Sequence, residues 1–205
     1  MGRIAVDIVL LPAPELMQEA VRLNRQLPRE VPGQIVLNLS QCLPHISLAM
    51  GCLQEGSRDT LQSLLRDLAS LFAPIRIDIR GIDETIDSGV SICALSIDIA
   101  SDLQGLHEAV MDRTSPYLTH NATEENFAEA VIQPDAVHWV NRYPEAASFE
   151  RFSPHITLGL GALRQETPLP APSVASRLAL CHLGNRCTCR SVLFETMLEG
   201  RSAAC

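Results

Sequence analysis

Lysine is missing from this chain; all sixteen of its basic residues are arginine. That absence excludes the chemistries that need a side-chain amine: the P-loop lysine, the kinase strand lysine, Schiff-base and pyridoxal phosphate enzymes, and ligases that carry a nucleotide on lysine. Aromatic residues make up only 4% of the sequence, with Trp139, Tyr117 and Tyr143 the larger members, so single-stranded RNA would find few stacking platforms. Positive charge is also in deficit. Sixteen basic residues against twenty-four acidic ones leave a formal charge of −8, without the broad field that holds proteins on duplex DNA or anionic membranes. A local basic cleft is still compatible with that balance. No uncharged apolar run is long enough to span a bilayer. Asp7 breaks the first apolar stretch, so the run from Ile8 to Leu11 is too short for a signal peptide. The expectation is a soluble, cytoplasmic protein.

What the chain does have is apolar content enough for a sizeable core: 46% hydrophobic over 205 residues, expected as one domain of two close lobes over 1–205. Its seven cysteines (Cys42, Cys52, Cys93, Cys181, Cys187, Cys189 and Cys205) are odd in number and scattered through apolar segments. They read as reduced thiols filling the core.

Periodicity gives the order of elements. Arg3 to Leu11 reads as a strand, followed past Pro12 and Pro14 by a helix with Leu16, Ala20, Leu23 and Leu27 on one face. Ile35 to Leu39 is expected to be extended and Leu43 to Met50 a strand. The clearest helix places Leu61, Leu64, Leu65, Leu68 and Phe72 on one face, with Asp59 as its cap. Ile75 to Ile79 and Val90 to Ile99 read as strands joined by a polar loop from Gly81 to Gly89, and a helix follows through Leu103, Leu106 and Val110. Between Thr114 and Phe152, the segments Glu124 to Val131 and Asp135 to Tyr143 look helical. Ser153 to Gly161 is again a strand, and Arg177 to Leu183 and Arg186 to Glu195 form a closing hairpin across Gly184 and Asn185. The sum is an α+β fold with two groups of strands, each covered by helices on one face.

The strongest signal is an internal near-repeat. Leu43-Pro44-His45-Ile46-Ser47-Leu48-Ala49-Met50-Gly51 aligns without gaps on Ser153-Pro154-His155-Ile156-Thr157-Leu158-Gly159-Leu160-Gly161, with five of nine positions identical. Strand alternation puts His45 and Ser47 on one face and Ile46, Leu48 and Met50 on the other; the second copy repeats this with His155 and Thr157. The small residues Ala49 and Gly159 come next on the polar face, which predicts a cavity there. If the strands meet, two imidazoles and two hydroxyls flank one pocket. Two histidines with ordinary pKa values of about 6.5 can act as base and acid at neutral pH, each typically worth about 10²- to 10⁴-fold. The hydroxyls supply donors to charged phosphoryl oxygens.

The pair resembles the duplicated H-x-[ST]-x signature of the two-histidine (2H) phosphoesterase superfamily, which includes 2'-5' RNA ligase-like proteins and cyclic nucleotide phosphodiesterases. The resemblance implies a bilobal α+β fold, two antiparallel sheets related by a pseudo-two-fold axis, helices on the outer faces and a central cleft. It implies catalysis by His45 and His155, phosphate binding by Ser47 and Thr157, and neither metal nor other cofactor. The expected activity is hydrolysis, or reversible formation, of 2',3'-cyclic or 2'-5' phosphodiester bonds in a small nucleotide or RNA end. The expected state is a monomer that binds no duplex DNA and no membrane. A noncatalytic module that binds nucleotides or RNA ends through the same cleft is the alternative. The spacing from His45 to His155 is longer than in compact members and puts an insertion in 114–152.

Other candidates are weaker. Cys181, His182, Cys187 and Cys189 could bring at most three ligands together across the closing hairpin, in no common zinc spacing. His107, His120 and His138 read as packing or surface residues. Sixteen arginines offer no way to choose a phosphate partner, and Arg164 has only its place after the second motif in its favour.

Overall fold

The first strand, β1 (Arg3–Pro12), is buried almost without interruption from Ala5 to Leu11, because it runs through the middle of a sheet with both faces covered. Its neighbours are β2 (Ile46–Gln54), which carries the first motif, and β8 (Ser173–Leu183), both antiparallel to it. Between β1 and β2 lies α1 (Pro14–Asn24), started by Pro14 at its first turn, where the missing amide hydrogen costs nothing. The segment from Ile35 to Leu39, expected to be extended, belongs to no strand.

After β2 comes α2 (Arg58–Ala69), burying Leu61, Leu65 and Leu68 as the periodicity predicts; Asp59 lies in its first turn, but no side chain caps it. Next are β3 (Ile75–Ile77), β4 (Ile79–Asp87), β5 (Val90–Ile97) and α3 (Ser101–Thr114). The predicted polar loop over 81–89 is mostly strand: β4 pairs with β5 from Ile79 to Asp87. It is an edge strand, so its charged side chains stand in solvent and blunt the edge, leaving little hydrophobic signal.

The chain continues through β6 (Leu118–Thr119), α4 (Pro134–Ala147), β7 (His155–Leu160) and, after β8, the last strand β9 (Cys189–Met197). The predicted helix over 124–131 is a single turn at Glu124–Asn126. Its backbone leaves helical geometry because Ala128 N–H bonds to Leu183 O of β8. These details come from a computed structural model that describes residues 2–87, 89–164 and 166–200.

Among the described residues the strands form two antiparallel sheets. The larger has six strands in the order β3-β8-β1-β2-β6, with β9 also on β8; the smaller runs β4-β5-β7. With the helices this is the expected α+β class, with one motif strand in each sheet. Aliphatic residues from both sheets, Leu48 and Leu158 among them, join the helix stripes in one core. A smaller cluster under the other face of β1 holds Val9, Leu11, Leu43, Cys181 and Cys189.

The cysteine reading needs correction. Cys181 and Cys189, both fully buried, are joined by a disulfide, their Cα atoms 5.5 Å apart across the β8–β9 hairpin. The β8–β9 register sets Cys189 opposite Leu183 and Cys181 opposite Val192, a diagonal neighbourhood that scattered spacing in the sequence does not reveal. Cys42, Cys52, Cys93 and Cys187 are free thiols; Cys205 lies outside the described residues.

Candidate active site

His45 sits at the entry to β2 and His155 opens β7. Each is held the same way. His45 Nδ1 lies 2.7 Å from Leu43 O, and His155 Nδ1 lies 2.8 Å from Ser153 O, the carbonyl two residues back in both copies. A carbonyl only accepts, so Nδ1 carries the hydrogen and Nε2 of each neutral ring is left as the basic atom. The prolines Pro44 and Pro154 between histidine and carbonyl fix this local turn.

Both motif strands are also bulged at the same place. In β2 the register passes from Ser47 opposite Val9 to Ala49 opposite Ile8, skipping Leu48; in β7 it passes from Thr157 opposite Ala94 to Gly159 opposite Cys93, skipping Leu158. The two skipped leucines therefore have carbonyls free of the ladder, and each is caught by a buried side chain. His107 Nδ1 donates to Leu48 O at 2.9 Å, and Asn24 Nδ2 donates to Leu158 O at 2.6 Å. Bulges next to active sites re-aim side chains. Here they end the simple alternation, which corrects the expected cavity beside Ala49 and Gly159. Ala49 is fully buried. The space beside Gly159 is filled by Gln34, Leu27 and Asn24, whose atoms lie 2.9, 2.9 and 3.1 Å from where a Cβ would stand.

The surroundings of the two copies differ. His45 is only 13% exposed, whereas His155 is open to solvent. Burial pushes the His45 pKa down; the bond to Leu43 O opposes this, and charge on His155 pushes it further down. The strands that carry the two histidines, β2 and β7, are in contact. Ser47 and Thr157 are both partly buried. Ser47 Oγ and Asp7 Oδ2 share a hydrogen bond of 2.6 Å, and the same carboxyl oxygen lies 3.6 Å from His45 Nε2.

Asp7 is fully buried on β1, and its Oδ1 has no hydrogen-bond partner among the described residues. Burial raises its pKa well above the usual carboxylate range, opposed in part by Ser47. Tyr143 of α4 is raised well above its usual value by burial first, and by the charge of Asp7 next. The segment between the motifs thus reaches the site: α4 packs on β2 and sets Tyr143 near Asp7. The sequence did hold a signal for Asp7, a lone carboxylate inside an apolar strand, though it served there only to exclude a signal peptide.

The remaining sequence candidates lie elsewhere or are otherwise engaged. His107 is fully buried, accepts from Phe149 N and stacks on Phe152 at 3.9 Å. His120 Nε2 bonds to Met50 O. At the closing hairpin, His182 Nε2 bonds to Asn126 O, Cys187 Sγ to Ala136 O, and Cys181 to Cys189, so those groups do not converge. Arg186 and Arg190 line a cavity of about 220 Å³ with Gln34 and Cys42, beside the Leu43 N–H to Cys189 O bond that anchors the first motif. Among the described residues, no helix is long and apolar enough to cross a membrane.

Solved structures with this architecture span nearly the whole chain. TT0787 of Thermus thermophilus is 18% identical, with a TM-score of 0.63 over 97% of this chain and 100% of its own. LigT of E. coli bound to phosphate is 14% identical, with a TM-score of 0.57 over 97% and 99%; it has also been solved with 3'-AMP, ATP and NADP+. A protein described as a phosphoesterase is 15% identical, with a TM-score of 0.58 over 96% and 99%. At such identities the likeness shows the fold. Comparison with curated proteins finds no match. Sequence carries the rest: the family model described as the 2'-5' RNA ligase superfamily matches residues 37–190, a span running from just before the first histidine motif to beyond the second, and the chain belongs to that superfamily.

Proposed function

We propose that the chain is a metal-independent phosphoesterase that opens 2',3'-cyclic or 2'-5' phosphodiester bonds of a small nucleotide or an RNA end. One observation carries the reading: two imidazoles, each with Nδ1 tied to a carbonyl two residues back, are carried by motif strands of different sheets that pack against each other. Tying Nδ1 leaves Nε2 of each ring to exchange a proton with substrate.

The chemistry balances with these groups and water. Water oxygen bonds to phosphorus as one histidine takes its proton on Nε2. The bond from phosphorus to the departing sugar oxygen breaks on the opposite side, and the other histidine gives that oxygen a proton from Nε2. One water is thereby divided between phosphate and sugar, and one proton is moved from one imidazole to the other. His45, held neutral by burial, begins as the base, and His155 begins as the acid. Ser47 and Thr157 hold the phosphoryl oxygens, a contribution of about 10²- to 10³-fold for a well-placed donor. The acidic net charge and few aromatic residues favour a short substrate over long RNA.

The test is turnover of a panel of 2',3'-cyclic nucleotides, 2'-5' dinucleotides and ADP-ribose cyclic phosphate in EDTA. Hydrolysis with a bell-shaped pH profile is expected, and His45→Ala or His155→Ala lowers kcat far more than it weakens binding. Loss of activity on chelation, or full turnover by either variant, overturns the mechanism; binding of the panel without turnover makes the chain a nucleotide-binding module instead.

A further inference from the structure

The acid–base scheme leaves Asp7 unused, although Asp7 touches two of its groups. Its carboxyl is fully buried on a central strand, one oxygen is shared between Ser47 and the neighbourhood of His45, and the other oxygen has no hydrogen-bond partner among the described residues. An ionised carboxylate offers about four lone-pair sites and needs a counter-charge when buried. The titratable groups facing it are His45 from β2, Tyr143 from α4 and Cys187 from the turn before β9. Opposite it on β8, Cys181 is bound in the disulfide. Tyr143 and Cys187 are neutral or negative, never positive, and burial disfavours the charged form of His45. The geometry suits a carboxylic acid better than a carboxylate.

A 2.6 Å contact between two oxygens can carry its hydrogen from either side. With Asp7 ionised, Ser47 commits its only hydrogen to the carboxylate and shows a phosphoryl oxygen nothing but lone pairs. With a hydrogen on Asp7 Oδ2, the carboxyl donates to Ser47 Oγ and the hydrogen of the serine is free. We propose that Asp7 is a positioning residue that donates a carboxyl hydrogen to Ser47, so that the serine hydroxyl aims its own hydrogen at a phosphoryl oxygen. The proposal rests on the phosphoesterase reading above. It gives that reading a second proton requirement, separate from the imidazole that acts as the acid.

Two measurements test it. The first is the infrared spectrum at neutral pH: wild type shows the carbonyl band of a protonated carboxyl, and the band is absent from Asp7→Asn. The second is kcat against pH from about 5 to 10 on a cyclic nucleotide that wild type hydrolyses. Wild-type kcat falls on the alkaline side as both the acid imidazole and Asp7 lose protons. Asp7→Asn, whose amide donates to Ser47 at every pH, keeps only the imidazole's limb. Ser47→Ala, slower throughout, also keeps only that limb, because Asp7 then has no hydroxyl to orient. A missing band in wild type, or an alkaline limb in Asp7→Asn as steep as in wild type, overturns the proposal while the phosphoesterase reading stands. Absence of wild-type turnover on the whole panel overturns both.

Discussion

Asn24 is a polar side chain with no exposed surface, and its three hydrogen bonds fasten the second motif strand to the rest of the molecule. Its amide nitrogen donates to Leu158 O at 2.6 Å and to Ile35 O at 2.8 Å, while its oxygen accepts from Leu37 N at 3.1 Å. Asn24→Ala therefore strands three buried backbone groups. Each such group costs about 1–3 kcal/mol when left unpaired. Water entering the space left by the amide recovers part of this, so the expected loss is about 3–6 kcal/mol, a large share of the roughly 5–15 kcal/mol that holds a domain folded. Urea unfolding followed by far-ultraviolet circular dichroism reads the loss directly. Asn141→Ala is the control: Asn141 also exchanges two bonds with one backbone segment, at Ala122, but makes none to β7 and is only partly buried. It should cost less and leave turnover nearly as it was, whereas Asn24→Ala lowers kcat because Leu158 lies between Thr157 and the rest of β7. A loss below about 1 kcal/mol for Asn24→Ala would refute the view that this side chain holds the bulged carbonyl in place.

Two further predictions concern the same strands. Gly159 has φ +149° and a Cβ there would stand 2.9 Å from Gln34 Oε1, so Gly159→Ala should cost about 1–3 kcal/mol in thermal unfolding; a neutral substitution would mean the clamp on β7 yields freely. For Asp7 the sign follows from linkage: its pKa is raised in the folded protein, so the native state binds the extra proton and wild-type stability falls as pH rises from about 4 through the folded pKa. Asp7→Asn, which cannot ionise, should gain on wild type over that interval, by at most about 1.4 kcal/mol per pH unit. Urea midpoints at a series of pH values measure this, and a variant that loses ground as pH rises would show Asp7 ionised and paired in the native state.

Much of this was legible in the sequence because it depends on local pattern. The leucine stripe of α2, the alternating isoleucines of β3 and the repeated His-Ile-Ser/Thr-Leu strands all express neighbours within a few residues. The near-repeat located both histidines because proline, histidine and carbonyl act within three residues. What escaped depends on partners far along the chain. β4 is strand because β5 lies beside it, not because its own charged residues favour extension. The turn after Thr123 is fixed by Asn126, whose amide reaches Arg3 O, more than a hundred residues away. Asp7 could be seen as out of place in an apolar strand, yet only the register of β1 with β2 brings it to Ser47. The bulges were invisible for the same reason: a skipped residue exists only relative to a partner strand.

These non-local partners are also what break the symmetry of the repeat. The local parts of the two copies coincide: the same carbonyl holds Nδ1, the same leucine is skipped, and a buried donor catches its carbonyl. The donors themselves differ, His107 from α3 in one copy and Asn24 from α1 in the other. The walls differ more, since β2 lies against the buried carboxyl of Asp7 and under α4, whereas β7 has its histidine in solvent. A symmetric pair of imidazoles would have no reason to divide acid from base, and the substrate's orientation alone would decide. Burial of one and exposure of the other supplies such a reason before any substrate arrives, because desolvation penalises the protonated form of His45. On the proposed mechanism the duplicated motif would supply both proton-transfer groups, and the unequal surroundings built around it would give those groups different work.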